Sequence, residues 1–144
     1  MPSYKESTIM GYNQTQIFNL VADIESYPEF LPWCLGSRVT KHSDTIIEAT
    51  LIVGFQLVRE KFGSRVHLDR PNYTIKTEHT HGPFNYLINS WQFKEHQNGC
   101  EVDFFLDFEF RSPILKKLMT TIFADAVKKM NVSFKERAES LYGN

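Results

Sequence analysis

The stretch that decides the fold is VDFFLDFEFRSPILKKLMTTIFADAV, residues 102–127. Up to Phe110 its apolar residues alternate with mostly acidic ones, which predicts a strand with one apolar face and one solvent-exposed face. Ser112 and Pro113 then supply a hydroxyl at a helix N-cap and a proline at the first helical position. Beyond them the apolar period lengthens to that of a helix, so the stretch predicts a strand that leads directly into an amphipathic helix.

The predicted helix is long, because apolar residues recur at helical spacing as far as Leu141. About 28 residues at 1.5 Å each give a length of about 42 Å. The apolar stripe covers well over a third of the circumference, which is wider than a single contact with a sheet needs. We therefore expect the whole stripe to be buried against the concave face of a sheet, with a ligand or a second chain covering the excess.

The chain before this helix reads as a sheet. Residues 36–110 alternate like antiparallel strands, with breaks near residues 43–44, 54–56, 70–72, 82–83 and 98–99, and five or six strands fit. A short strand within residues 4–12 and a helix of about three turns precede them, the helix beginning at a capping pair formed by Asn13 and Gln16. The sequence thus predicts an α+β chain in which a strongly curved antiparallel sheet encloses a long C-terminal helix.

Composition excludes several classes of protein. The chain has 144 residues, 16 basic and 17 acidic, with 12 Phe, 6 Tyr and 2 Trp. So much aromatic surface argues against disorder, and the near-neutral charge argues against a general nucleic-acid binder. We expect one domain that spans residues 1–144. We expect neither a membrane span nor a signal peptide, and hence a location in the cytoplasm. Cys34 and Cys100 are too few for a disulfide framework, so we expect buried thiols.

Signatures of catalysis are weak. His79 and His81 could share a strand face, but no third metal ligand accompanies them. Glu60 is expected to face inward, and its neighbours Arg59 and Lys61 suit a structural ion pair better than acid–base chemistry. Since no nucleophile elbow, phosphate loop or dinucleotide motif is present either, we expect a protein that is not an enzyme and uses no metal or cofactor.

Four motifs in order carry a resemblance to a known family. They are YPEFLPWC (residues 27–34), VGFQLVREKF (residues 53–62), the turn at Gly82-Pro83-Phe84 that leads to Trp91 and Phe93, and VDFFLDFEF (residues 102–110). Together they resemble the coenzyme Q-binding protein family, within the StAR-related lipid-transfer and polyketide-cyclase superfamily. The resemblance extends from about Tyr4 to Leu141, and it implies a single lipid-transfer-like domain with the helix-grip fold.

The resemblance also implies a function. A cavity between sheet and helix would hold a polyprenyl quinone such as coenzyme Q, or a similar lipid. The protein would act as a carrier that supports respiration or quinone biosynthesis. The same family includes a ribosome-association toxin that binds the large ribosomal subunit, and the superfamily includes cyclases and aromatases. The composition favours an oily cavity over an RNA-binding face.

Candidate ligand-binding residues are bulky apolar side chains predicted to face the cavity or its entrance, together with one amide. They are Tyr27, Phe30, Leu31, Trp33, Leu51, Phe55, Phe62, Phe84, Asn89, Trp91, Phe104, Leu106, Phe108, Leu118, Met119, Ile122 and Phe123.

Selection of a quinone over bilayer lipid needs polar contacts to the ring, for which Asn89, Ser90, Gln92 and Tyr27 are candidate donors. Residues 27–33 hold four bulky apolar side chains and two prolines, so we expect some of these side chains to be exposed. The loop would then be the entrance and would dip transiently into the inner face of a membrane. The alternative is that the loop plugs the core and that the entrance lies near residues 82–84.

A line of basic residues bears on the ribosome alternative. Lys117, Lys128 and Lys135 fall on one side of the predicted helix, away from the apolar stripe. They are expected to face solvent, either as an ordinary solvated face or as a surface for RNA phosphates.

Overall fold

The computed structural model describes residues 3–41, 43–55 and 58–143, and within these ranges the side chains of residues 55, 58 and 119–124 are not described. The described elements are β1 (Ser3–Met10), α1 (Gln14–Ala22), a 3-10 helix (Ile24–Glu29), β2 (Cys34–Lys41), β3 (Ile46–Phe55), β4 (Val58–Asp69), β5 (Thr74–His81), β6 (Phe84–His96), β7 (Gly99–Phe110) and α2 (Pro113–Tyr142).

Within the described ranges, seven strands form one antiparallel sheet in the order β1-β7-β6-β5-β4-β3-β2. Strands β2 to β7 are the five or six that the alternation predicts, and the connections after β4, β5 and β6 lie at predicted breaks. β1 pairs with β7, with Ser3 opposite Asp107 and Met10 opposite Cys100. The N-terminal strand therefore forms one edge of the sheet and β2 the other.

The two faces of β7 are those that the sequence predicts. Val102, Phe104 and Phe108 are buried, whereas Asp103 on the opposite face lies 2.8 Å from the Lys94 ammonium. Burial would raise the pKa of the Asp103 carboxyl, but hydrogen bonds from Lys94 and Ser7 outweigh this and lower it. The apolar face of the strand is thus the one turned toward the core.

α1 begins at the predicted capping pair. The Asn13 Oδ1 atom accepts a hydrogen bond from the backbone N–H of Gln16 at 2.8 Å, and the Gln16 Oε1 atom accepts one from the backbone N–H of Asn13 at 3.1 Å. Both bonds satisfy backbone donors that a helix start leaves free. Phe18 is buried on the inner side of the helix, where its ring meets Phe93 of β6 at 5.8 Å.

The segment that joins α1 to β2 is more deeply packed than its prolines suggest. Pro28 lies inside the 3-10 helix, because the fixed φ of proline suits 3-10 geometry. The backbone N–H of Leu31 then donates to the carbonyl of Tyr27 at 2.9 Å, and the Leu31 side chain is 2% exposed. A loop or single turn is what two prolines four residues apart predict for this segment, and the 3-10 helix followed by a turn agrees with it. Exposure was wrong in the case of Leu31.

α2 starts and ends close to the predicted limits. The Ser112 Oγ atom caps it by accepting from the backbone N–H of Leu115 at 3.3 Å, and the helix continues for 30 residues. Among its described side chains, the buried residues of the stripe run from Ala126 and Val127 to Phe134 and Ala138. The expectation that the whole stripe is buried was wrong at both ends of the helix, where Ile114 is 72%, Leu118 48% and Leu141 49% exposed.

Ile114 and Leu118 are exposed because α2 begins at the end of the sheet. Leu115 packs against the cluster of Phe84, Phe108 and Phe110, which takes up the inner side of the first turn. Ile114 and Leu118, four residues apart, share another side of the helix and point away from this cluster. The first turns of α2 therefore present apolar side chains beside the end of the sheet.

Cys34 and Cys100 are free thiols and both are buried, as predicted. Burial raises the pKa of each thiol to about 11. Among the described residues, no helix combines the length and apolarity needed to cross a bilayer.

Candidate ligand cavity

An apolar cavity of about 220 Å³ lies between the inner face of the sheet and α2. The 3-10 helix and strands β3 to β7 form its wall on one side, and Ala126, Val127, Met130 and Phe134 of α2 close the other. Nearly all of its lining is hydrocarbon or aromatic ring, which is the character of a site for a hydrophobic ligand.

Eleven of the sequence-predicted site residues line this cavity. They are Tyr27, Leu31, Trp33, Leu51, Phe62, Phe84, Asn89, Trp91, Phe104, Leu106 and Phe108.

Two other predicted residues lie elsewhere. Phe30 packs outside the cavity, with its ring 5.3 Å from that of Phe134 and under the Arg137 guanidinium at 5.1 Å. Leu118 is 48% exposed and does not contribute to the lining. The side chains of Phe55, Met119, Ile122 and Phe123 lie outside the described residues.

Trp91 packs against both the sheet and α2. Its ring centroid lies 4.8 Å from that of Phe104 on β7 and 5.4 Å from that of Phe134 on α2, both at steep interplanar angles. Such edge-to-face pairs add stability beyond the buried area. Its indole N–H donates to the Asn89 Oδ1 atom at 3.1 Å, so the ring is held in one orientation in the cavity wall.

A second aromatic cluster stands at the end of the sheet where α2 begins. The ring of Phe84 stacks on that of Phe110 at 4.9 Å and meets the edge of Phe62 at 5.4 Å. Pro83, which precedes this cluster in the chain, also lines the cavity. The cavity therefore extends from Trp91 to the start of α2.

The predicted ring donors are engaged or face away. The Asn89 Nδ2 atom donates to the carbonyl of Phe105 at 2.9 Å while its Oδ1 atom receives the indole. The Tyr27 hydroxyl donates to the carbonyl of Val21, and burial raises the pKa of this phenol. Ser90 and Gln92 lie on the outer face with Lys94 and Asp103. The prediction that Ser90 and Gln92 donate to the ligand was wrong. Side chains alternate along a strand, so the inward orientation of Asn89 and Trp91 turns Ser90 and Gln92 outward.

The inward orientation predicted for Glu60 is confirmed, since it lines the cavity. Its neighbours Arg59 and Lys61 are exposed, and no ion pair of Glu60 with either occurs among the described side chains, because adjacent residues of a strand face opposite ways. Ser64 and Thr77 also line the cavity, and the Ser64 hydroxyl lies 3.5 Å from the carbonyl of Ala49.

His79, one of the two histidines considered as metal ligands, instead supports the sheet. The His79 Nδ1 atom accepts a hydrogen bond from the backbone N–H of Leu87 at 3.1 Å, just past the last β5–β6 pair, Glu78 opposite Ile88. His79 therefore continues the contact between these strands after the ladder ends.

Residues 10–135 match the family described as polyketide cyclase/dehydrase and lipid transport. The chain belongs to this family. Ribosome association toxin RatA of Rickettsia prowazekii (strain Madrid E) is 38% identical over 144 residues, covering 98% of this chain and 99% of that protein. Mitochondrial coenzyme Q-binding protein COQ10 homolog B of Xenopus laevis is 32% identical over 145 residues, covering 97% of this chain and 59% of that protein.

A solved structure agrees in both sequence and fold. The 18 kDa protein CC1736 from Caulobacter crescentus superposes with a TM-score of 0.82 at 31% identity, covering 100% of both chains. The helix-grip fold and the resemblance to the coenzyme Q-binding family are thus confirmed.

In this member of the polyketide cyclase/dehydrase and lipid transport family, the sequence prediction omitted part of the lining. The alternation of β4 continues inward from Phe62 through Ser64 to Val66, and the apolar period of α2 continues to Phe134. Both signals were available, because each only extends a pattern already recognised. Other lining residues left out of the prediction are Val21, Ile24, Val53, Glu60, Ile75, Thr77, Pro83, Leu87, Phe110, Ala126, Val127 and Met130.

Proposed function

We propose that this protein binds a polyprenyl quinone or a closely related prenyl lipid in the cavity and acts as its carrier or chaperone, without transforming it chemically. The observation that carries the proposal is the apolar cavity itself, which lies between sheet and helix and is lined largely by aromatic and aliphatic side chains. The description of the family includes lipid transport, and a relative spanning almost the whole chain is named as a coenzyme Q-binding protein.

The energetics suit a carrier. Removing one methylene from water is worth about 0.8 kcal/mol, so an isoprene unit of five carbons gains about 3–4 kcal/mol in the cavity. A quinone in a bilayer is already in an apolar medium, so transfer from bilayer to cavity is close to balanced. A near-balanced exchange allows the lipid to be both loaded and released.

The test is mass spectrometry of an organic extract of the purified protein, comparing wild type with Leu106→Asp. Leu106 lines the cavity and is only partly buried, so a charge there opposes an apolar ligand without filling the tightest part of the core. We expect a co-purifying prenyl quinone in wild type and at least about a tenfold loss in the variant.

The matched control is Phe105→Asp, which places the same charge on the outer face of the same strand and should retain the lipid. Circular dichroism verifies folding of both variants. Wild-type protein free of prenyl lipid, or a folded Leu106→Asp variant with undiminished lipid, would contradict the proposal.

A second candidate function is association with the large ribosomal subunit. It is favoured by the 38% identity to a ribosome association toxin along nearly the full length of both proteins. Lys117, Lys128 and Lys135 are all exposed, which supports an outward basic line on α2. A cavity and a basic helix face are compatible in one molecule.

A further inference from the structure

Glu60 is the feature of the cavity that lipid carriage alone does not explain. Among the described residues that line the cavity, it alone carries a charge. It lies on β4 opposite Val53 of β3, and Phe62 follows it on the same inner face. A carboxylate placed among such neighbours costs free energy unless water or a hydrogen-bond donor satisfies it.

Glu60 is partly buried, and its carboxylate makes no hydrogen bond or ion pair within the part of the chain that the structure describes. Arg59 and Lys61 are exposed on the outer side of the strand. The other polar side chains of the inner face begin at Ser64, four residues further along β4, which corresponds to about 13 Å. Thr77 and Asn89 are opposite each other in the ladder and belong to that more distant group.

The hydrogen-bonding chemistry of these polar groups differs. The Asn89 amide is engaged by Phe105 and Trp91, and the Ser64 hydroxyl donates to the carbonyl of Ala49. The Thr77 hydroxyl can donate or accept, so it does not discriminate between ligand oxygens. An ionised carboxylate only accepts. A quinone ring presents carbonyl oxygens, which also only accept, whereas the reduced quinol presents hydroxyls that donate.

We propose that Glu60 accepts a hydrogen bond from a ring hydroxyl of the bound lipid, so that the cavity binds the quinol in preference to the quinone. This inference rests on the proposed function and assigns the redox form of its ligand. Hydrogen bonds to a carboxylate are stronger than those between neutral groups. Repulsion between the carboxylate and a quinone carbonyl adds to the preference.

The test uses the full chain, a short-tailed ubiquinone analogue and the same compound kept reduced under anaerobic conditions. Trp33 and Trp91 line the cavity, so quenching of tryptophan fluorescence gives the two dissociation constants. We expect wild type to bind the quinol at least about tenfold more tightly than the quinone. For a two-electron couple, a tenfold ratio raises the midpoint potential of the bound couple by about 30 mV.

Glu60→Gln keeps the shape of the side chain but can donate as well as accept, so the affinity ratio should fall to about twofold or less. Glu95→Gln is the matched control, since it removes the same charge from an exposed position on β6, and it should keep the wild-type ratio. Equal wild-type affinities, or an unchanged ratio in Glu60→Gln, would overturn the preference while leaving the carrier in place. Failure of wild type to bind either form would contradict the proposed function itself.

Discussion

At the scale of single residues, Leu31 is a packing residue and not a residue exposed for contact with a membrane. Its side chain is 2% exposed and lies between the 3-10 helix and β2, where its carbonyl accepts from the backbone N–H of Cys34 at 3.0 Å. It also lines the cavity. Leu31 therefore supports the fold and the cavity wall and is not available for the proposed contact with a bilayer.

Replacing Leu31 with alanine should lower the free energy of unfolding by about 2–5 kcal/mol, because it removes buried methyl groups and leaves a cavity. Urea denaturation measures the change. Leu35→Ala is the control, since Leu35 is 49% exposed and its loss should alter stability by less than about 0.5 kcal/mol. Equal, small effects of both substitutions would mean that Leu31 does not belong to the core.

Residue-scale prediction succeeded where the chain is periodic and failed where it is not. Alternation places Leu51, Trp91 and Phe104 on the inner face, and all three line the cavity. Between α1 and β2 no period exists, so nothing in the sequence distinguishes the outward Phe30 from the inward Leu31. Only tertiary contacts, such as Arg137 over the Phe30 ring, decide which residue turns in.

At the scale of elements, the first turns of α2 combine exposed apolar side chains with proximity to the cavity. Ile114 and Leu118 are 72% and 48% exposed. Leu115 between them packs against the cluster of Phe84, Phe108 and Phe110, whose members line the cavity. Exposed apolar groups beside an apolar cavity suit contact with a bilayer. We therefore propose that the entrance lies at this end of the sheet rather than at residues 27–33.

The double variant Ile114→Ser, Leu118→Ser should weaken binding to lipid vesicles at least about tenfold, because each buried aliphatic side chain contributes about 1.5–3 kcal/mol. Vesicle flotation and quinone transfer between vesicles measure the effect, and the melting temperature should change little. Val132→Ser, Leu141→Ser is the control, since both residues are exposed on the same helix further from its start. Unimpaired vesicle binding by the first variant would place the entrance elsewhere.

The sequence predicts the face of α2 but not its docking. Helical periodicity identifies which side is apolar, and the buried Val127, Phe134 and Ala138 lie on that side. Periodicity carries no information on how far the sheet extends beneath the helix. The length of the sheet is set by strand pairing, which ends at Phe84 opposite Phe110, and α2 begins three residues later.

At the scale of the whole molecule, charge is almost balanced, with a formal net charge of -1, so any attraction to RNA must come from a local surface. Reversing Lys117, Lys128 and Lys135 to glutamate should abolish co-sedimentation with large ribosomal subunits at moderate salt if the second candidate function holds. Reversal of Lys5, Lys41 and Lys76, exposed residues of three strands, makes the same change in net charge and should leave sedimentation intact. Unchanged sedimentation of the α2 variant would eliminate this line as a ribosome contact.

The size of the cavity has a consequence for how a long lipid would be handled. Sites that enclose drug-sized molecules occupy about 300–1,000 Å³, and this one has about 220 Å³. A ring with the first part of its tail fills such a space, and the remaining isoprene units stay outside. The protein would then grip its ligand by the head while the tail remains anchored in the bilayer. Held in this way, a quinone of any tail length would fit the same site, and its redox-active ring would be presented to membrane enzymes while the tail stayed out of water.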